Sequence, residues 1–207
     1  MIEGRTPPFT IRPLSSHDCG RVGEVDVAAR TAATLGFLGP AFFATLYRTL
    51  ITGPHAVGFV AETSGRLIGF VLGTTRTSVA LREALRRSCL PLAARAGAVL
   101  ARRPGRIGDV LAALRYPGRA HADGAELLVI AVASDWQGRG VGRALTRALD
   151  VAFHARGIAT YHVTAKARVP GVETFYRGLG FTSVDSFQLF GEPWTVYARA
   201  PSGGDRA

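Results

Sequence analysis

At 207 residues and 47% hydrophobic side chains, the chain is long enough to bury a core and too apolar to be intrinsically disordered. No apolar run reaches the roughly 18 residues needed to cross a bilayer, and the amino terminus lacks the apolar region of a secretory signal. The formal charge of +10 is concentrated: positions 76–121 hold ten arginines against only Glu83 and Asp109, a field that favours an anionic partner. Cys19 and Cys89 have neither metal-ligand spacing nor the makings of a disulfide framework. Free thiols in a cytoplasmic protein, and no metal, are expected. Ile2-Glu3-Gly4-Arg5 reads either as a protease recognition site or as native sequence.

In chain order, Phe9 to Pro13 reads as a short strand, and Asp18–Ala33 and Pro40–Thr52 as helices. Val57–Glu62 and Leu67–Thr75 make a hairpin across Ser64-Gly65-Arg66. From Ser78 the pattern turns helical, with Leu81, Leu85, Cys89, Leu92, Ala96 and Val99 on one apolar stripe. Pro91 should kink that helix or open a second one. A further helix runs from Ile107 to Arg115, ahead of an apolar strand, Ala125–Val132. A glycine turn then leads into a helix reaching Arg156. Ile158–Ala165 reads as a strand, Gly171–Arg177 as a short helix, and Phe181–Phe190 with Trp194–Arg199 as a closing strand pair. This order predicts one mixed α/β domain with a helical, arginine-rich insert at about 76–121 and a disordered tail at about 201–207.

The glycine turn carries the strongest chemical signal. Gln137-Gly138-Arg139-Gly140-Val141-Gly142 lies between a strand and a helix, where backbone N–H groups converge without Cβ interference and the helix N-terminus favours an anion. A dinucleotide fingerprint would need a third glycine where Leu145 stands and an acid near position 162, which is His. A phosphate-binding loop of the Gly-Lys-Ser/Thr type is absent. A glycine turn without any ligand is the plain alternative.

The run Gln137-x-x-Gly140-x-Gly142 resembles the acyl-CoA pyrophosphate loop of the GNAT N-acetyltransferase superfamily. Glu126-Leu-Leu-Val-Ile-Ala-Val upstream resembles that family's fourth strand, and Tyr176 with Gly180-Phe181 matches its Tyr-x-x-x-Gly-Phe segment. The resemblance covers roughly positions 125–181. It implies a GNAT fold: a mixed, mostly antiparallel central sheet flanked by helices, here with a helical insert between the third and fourth strands.

The resemblance also implies a direct transfer from acetyl-CoA to a primary amine. Backbone N–H groups from Arg139 to Ala144 (Arg139, Gly140, Val141, Gly142, Arg143 and Ala144) would hold the pyrophosphate, with Gln137 and Gly138 shaping the turn. Arg139 and Arg143 would add charge-assisted contacts. Along the splayed strand Ile130, Ala131 and Val132 would hold the pantetheine arm, the Ile130 N–H reaching the thioester oxygen, where negative charge develops. Glu126, an acid in an apolar strand, is the candidate base for the ammonium, with His121 and Asp123 as weaker alternatives. Tyr176 is the candidate acid for the departing thiolate. The family's Asn and Ala positions hold Val169 and Val172, so Lys166 or Arg168 would have to supply the missing polar contact.

The insert is expected over the acceptor side of the cleft. Its arginines suit an anionic or sugar-linked small amine, or a peripheral contact with an anionic membrane. The alternative is a stripe packed on the core with arginines serving solubility. Nucleic acid is not expected, because Tyr116 is the insert's only aromatic residue. A homodimer is an expectation of the family resemblance. A catalytically silent acyl-CoA-binding module is the competing function.

Overall fold

A computed structural model describes residues 8–29, 35–114, 124–189 and 191–201, the last three residues of the second stretch by backbone alone. The elements are β1 (Thr10–Pro13), α1 (Cys19–Ala29), α2 (Pro40–Ile51), β2 (Ala56–Thr63), β3 (Arg66–Thr74), α3 (Thr77–Arg87), α4 (Cys89–Leu100), α5 (Ile107–Leu114), β4 (Ala125–Val132), α6 (Val141–His154), β5 (Tyr161–Lys166), α7 (Val172–Gly178), β6 (Thr182–Leu189) and β7 (Glu192–Arg199). The seven strands form one sheet in the order β1-β2-β3-β4-β5-β7-β6. Every neighbouring pair is antiparallel except β4 with β5.

Two apolar layers cover the sheet. On one face, Leu145, Leu149 and Phe153 of the amphipathic helix α6 pack with Ile68, Val71, Leu127, Val163 and Tyr197, and Tyr176 of α7 joins them. On the other, Val22 of α1 and Phe43 and Tyr47 of α2 pack on Val60, Phe70, Leu72 and Ala131. β3 is buried from Leu67 to Thr74, as a central strand sandwiched between helices must be.

The insert occupies the expected place between β3 and β4. Its first helical pattern breaks at Ser88, so Pro91 falls in the first turn of α4, where a missing N–H costs little. α3 and α4 both pack on α2, and α3 also touches β4. Leu81 and Ala96 pack on this core and Leu92 is buried, but Cys89 of the expected stripe is exposed. The break at Ser88 starts a new helical phase and turns Cys89 outward. Cys19 is buried, and burial pushes its thiol up to about 11. Both cysteines are free. Among the described residues no helix is long and apolar enough to cross a membrane, and no cluster of three potential metal ligands occurs.

Candidate functional site

β4 is bonded very differently on its two edges. Against β3 it pairs from Glu126 to Val132, with one register shift opposite Leu128. Against β5 it pairs only at Ala125, Glu126 and Leu127. β5 continues to Lys166 on the partner strand β7, so β4 and β5 part company after Leu127 and leave a wedge between them. Ala133 donates its N–H to the Ile68 carbonyl at 2.9 Å, turning the main chain of Ala133 and, two residues back, Ala131 toward β3. By the same alternation the N–H groups of Ile130 and Val132 face the wedge. Ala131 does not share that direction, and its side chain is buried against α1 and α2.

The glycine turn follows the end of β4, at the wide end of the wedge. Gln137 folds back, its Nε2 donating to the Val132 carbonyl at 3.1 Å, which ties the turn to the strand end. Gly138 and Gly140 have φ of 74° and 83°, a left-handed conformation that a Cβ strains. Gly140 is the N-cap of α6, and no side chain caps that helix. The amides of Val141, Gly142 and Arg143 therefore lie in an uncapped first turn, while the Ala144 N–H is already committed to the Gly140 carbonyl at 3.0 Å. The expected cradle is thus one residue shorter at its far end. A Cβ on Gly142 would lie 3.1 Å from the Phe175 ring, so glycine here lets α7 approach the first turn of α6. Arg139 and Arg143 are exposed, and the Arg139 guanidinium stacks 5.2 Å over the Trp136 ring. A groove of about 640 Å³ adjoins the end of β4, lined by Arg21, Glu24, Arg66, Asp135 and Gln137, with Arg66 paired to Asp135 at 2.8 Å.

Glu126 and Tyr176 lie on opposite faces of the sheet. Glu126 is 5% exposed, lies beside His162 in register, and accepts a hydrogen bond from Thr164 Oγ1 at 3.2 Å. It belongs to the face covered by α1, α2 and the insert. Tyr176 lies on the α6 face, stacked on Tyr197 at 5.5 Å and edge-on to Phe175 and Phe181. Burial, then the neighbouring Tyr197, holds its phenol well above the usual tyrosine range, so it stays protonated at neutral pH. Lys166 is not available as a substitute for the missing asparagine, because its Nζ is paired with Glu192 Oε2 at 2.7 Å and packs on Trp194. Arg168 is exposed. His121 and Asp123 lie outside the described residues.

Three features escaped sequence reasoning. Phe175 as the lid on Gly142, and Thr164 as the donor to Glu126, depend on contacts between elements far apart in sequence. The third is a buried ionic network: Asp150 accepts from Tyr161 Oη at 2.6 Å and from Arg199 Nη2 at 2.8 Å. Arg199 also donates to the Leu179 carbonyl, binding α6, β5, β7 and the end of α7 together. The polar positions are visible in the sequence as single acids and bases in apolar runs, but nothing local pairs them.

The described architecture agrees with known proteins. Residues 95–183 match the family model of the acetyltransferase (GNAT) domain. Among solved structures, SsHAT aligns over 95% of this chain and 100% of its own, at 27% identity and a TM-score of 0.68. The ribosomal-protein-S18-alanine N-acetyltransferase from Escherichia coli aligns over 97% of this chain and 99% of its own, at 18% identity and a TM-score of 0.60. The PaiA N-acetyltransferase from Thermoplasma acidophilum, solved in complex with coenzyme A, covers 93% of this chain and 99% of its own at 13% identity and a TM-score of 0.60. No curated protein matches the sequence significantly. A split mixed sheet with a glycine turn at the head of a helix defines the class, that of the GNAT-fold proteins. Residues 95–183 match the GNAT acetyltransferase domain, and the sheet and helices of the chain have the fold of the GNAT structures.

Proposed function

We propose that the protein is a cytoplasmic acetyl-CoA-dependent N-acetyltransferase that acts on a primary amine of a small, anionic or sugar-linked acceptor by direct attack in a ternary complex. The observation that carries this reading is the continuity of the β4–β5 wedge with the uncapped first turn of α6. Acetyl-CoA fits that arrangement, because the wedge offers the main-chain donors of Ile130 and Val132 to an extended arm. The turn offers the amides of Val141, Gly142 and Arg143 to a pyrophosphate, with Arg139 and Arg143 beside them. When bound it supplies the activated acetyl group.

The chain's own residues then handle protons and charge. Ile130 N–H stabilises negative charge arising on an oxygen lodged in the wedge, as preorganised backbone dipoles do without reorganisation. Glu126 takes a proton from the acceptor ammonium, directly or through water, held in orientation by Thr164. Tyr176, kept as a phenol by burial, gives a proton to the leaving thiolate. Glu126 faces the side where the insert packs, so an acceptor reaching it passes the arginine-rich surface, which favours an anionic group.

The test is thiol release from acetyl-CoA across a panel of amines, including phosphorylated and nucleotide-linked amino sugars. Turnover with an anionic amine supports the reading. Tight coenzyme A binding with no thiol release for any amine favours the second reading, a silent acyl-CoA-binding module, to which the packing of Tyr176 within an aromatic cluster lends weight.

A further inference from the structure

Helix α4 presents the wrong surface to water. Leu92 is buried and Ala96 and Val99 are half-buried, so the inward stripe is ordinary. The opposite face should be polar, yet it consists of Leu90, Ala93, Ala94, Gly97, Ala98 and Ala101, all exposed. Leu90 is 79% exposed, and Arg95, at the flank, is the helix's only charged residue. On α5, Ile107 and Leu111, one turn apart, are also exposed at 47% and 49%.

Arginines bracket this apolar face. Arg86 and Arg87 end α3 immediately before α4, and Arg102 and Arg103 follow it, all exposed. The only acids between positions 76 and 114 are already taken: Glu83 by Arg87 at 3.5 Å and Asp109 by Arg106 at 2.9 Å. Among the described residues, Arg76, Arg82, Arg86, Arg95, Arg102 and Arg103 have no acidic partner. A second copy of the chain would bring this excess positive charge against itself. Nucleic acid is poorly matched as well, since residues 76–114 contain no aromatic side chain on which a base could stack.

We propose that α4 and the arginines at its two ends form a peripheral docking surface for an anionic lipid bilayer. The helix would lie in the interface plane, its outward face entering the headgroup boundary while the arginine heads remain among lipid phosphates. At twelve residues α4 is far too short to cross, so the contact is reversible and sensitive to salt. The proposal does not rest on acetyl transfer and stands whether or not the proposed reaction is right.

Co-sedimentation of the full chain with vesicles tests it. Phosphatidylcholine vesicles are compared with the same vesicles containing phosphatidylglycerol, at low and high salt, with the protein alone as a self-association control. Binding to the anionic vesicles at low salt and release at high salt are expected. Leu90→Glu should weaken binding about tenfold or more through the lost apolar insertion. Arg102→Ala and Arg103→Ala should each weaken it roughly fivefold. Both sites are exposed, so melting temperatures should match the parent chain and separate these losses from misfolding. Absence of binding to anionic vesicles at low salt overturns the proposal, as does equal binding to neutral vesicles. Binding indifferent to Leu90→Glu and to both arginine changes overturns it too, and so does retention of RNA by a protein that ignores vesicles.

Discussion

The α6–β5–α7 half of the molecule and the α3–α5 insert use positive charge in opposite ways. In the first, Arg199 is half-buried and spent on Asp150 and the Leu179 carbonyl, and the proposed anion site consists mainly of backbone amides at a glycine turn. In the second, among the described residues, six arginines on and around the insert helices stand exposed without acidic partners. Charge that fixes geometry is paired inside; charge that meets a partner is left outside and unpaired. On the proposed reading, the wedge side serves precise positioning and the insert side long-range attraction.

Breaking the buried network should separate the halves most sharply. Asp150→Ala strands Arg199 and leaves Tyr161 Oη without its acceptor, at a cost of about 3–5 kcal/mol of stability in denaturant titration. A loss under 1 kcal/mol would show that the network does not hold this half together. Tyr176→Phe should lower turnover roughly 100-fold while coenzyme A affinity is kept, which bound-ligand titration and steady-state kinetics distinguish. Full turnover would remove its role as the acid. Gly140→Ala forces a side chain into φ of 83° and should cost about 1–2 kcal/mol, with a matching fall in coenzyme A affinity.

A pH scan sharpens the comparison further. Tyr161 and Tyr176 both have phenols raised by burial, with Asp150 adding to the effect at Tyr161. Because the folded state holds these protons more tightly than the unfolded chain, their contribution is complete below about pH 10 and is lost as pH rises above it. Stability should therefore fall in strong alkali, and Tyr161→Phe should flatten that limb. The smallest effect belongs to the insert: Arg102→Ala or Arg103→Ala should change stability by less than about 0.5 kcal/mol. A larger loss would mean these arginines serve the fold.

Legibility in the sequence divides along the same line. The strand Ala125–Val132, the turn at Gly138 and Gly140 and the α6 repeat were readable because local backbone chemistry dictates them: a positive φ demands glycine, and a buried strand demands an unbroken apolar run. The mixed sheet followed from the order of elements together with the family resemblance. What the sequence could not reveal depends on side chains meeting across the fold. Thr164 reaches Glu126 only because β5 lies beside β4, and Phe175 seals Gly142 only because α7 returns over α6. Ala144 is a third case, its amide expected at the turn but consumed by the helix's first closed bond. Cys89 differs for a related reason: the break at Ser88 resets the helical phase, so a single stripe does not run through Cys89.

Hydrogen–deuterium exchange with and without acetyl-CoA tests the central claim, that the β4–β5 wedge and the α6 turn form one donor site. The account predicts slowed exchange at Ile130 and Val132 and at Val141, Gly142 and Arg143, with the insert unchanged. Binding without protection at those amides, or with protection confined to the insert, would contradict it.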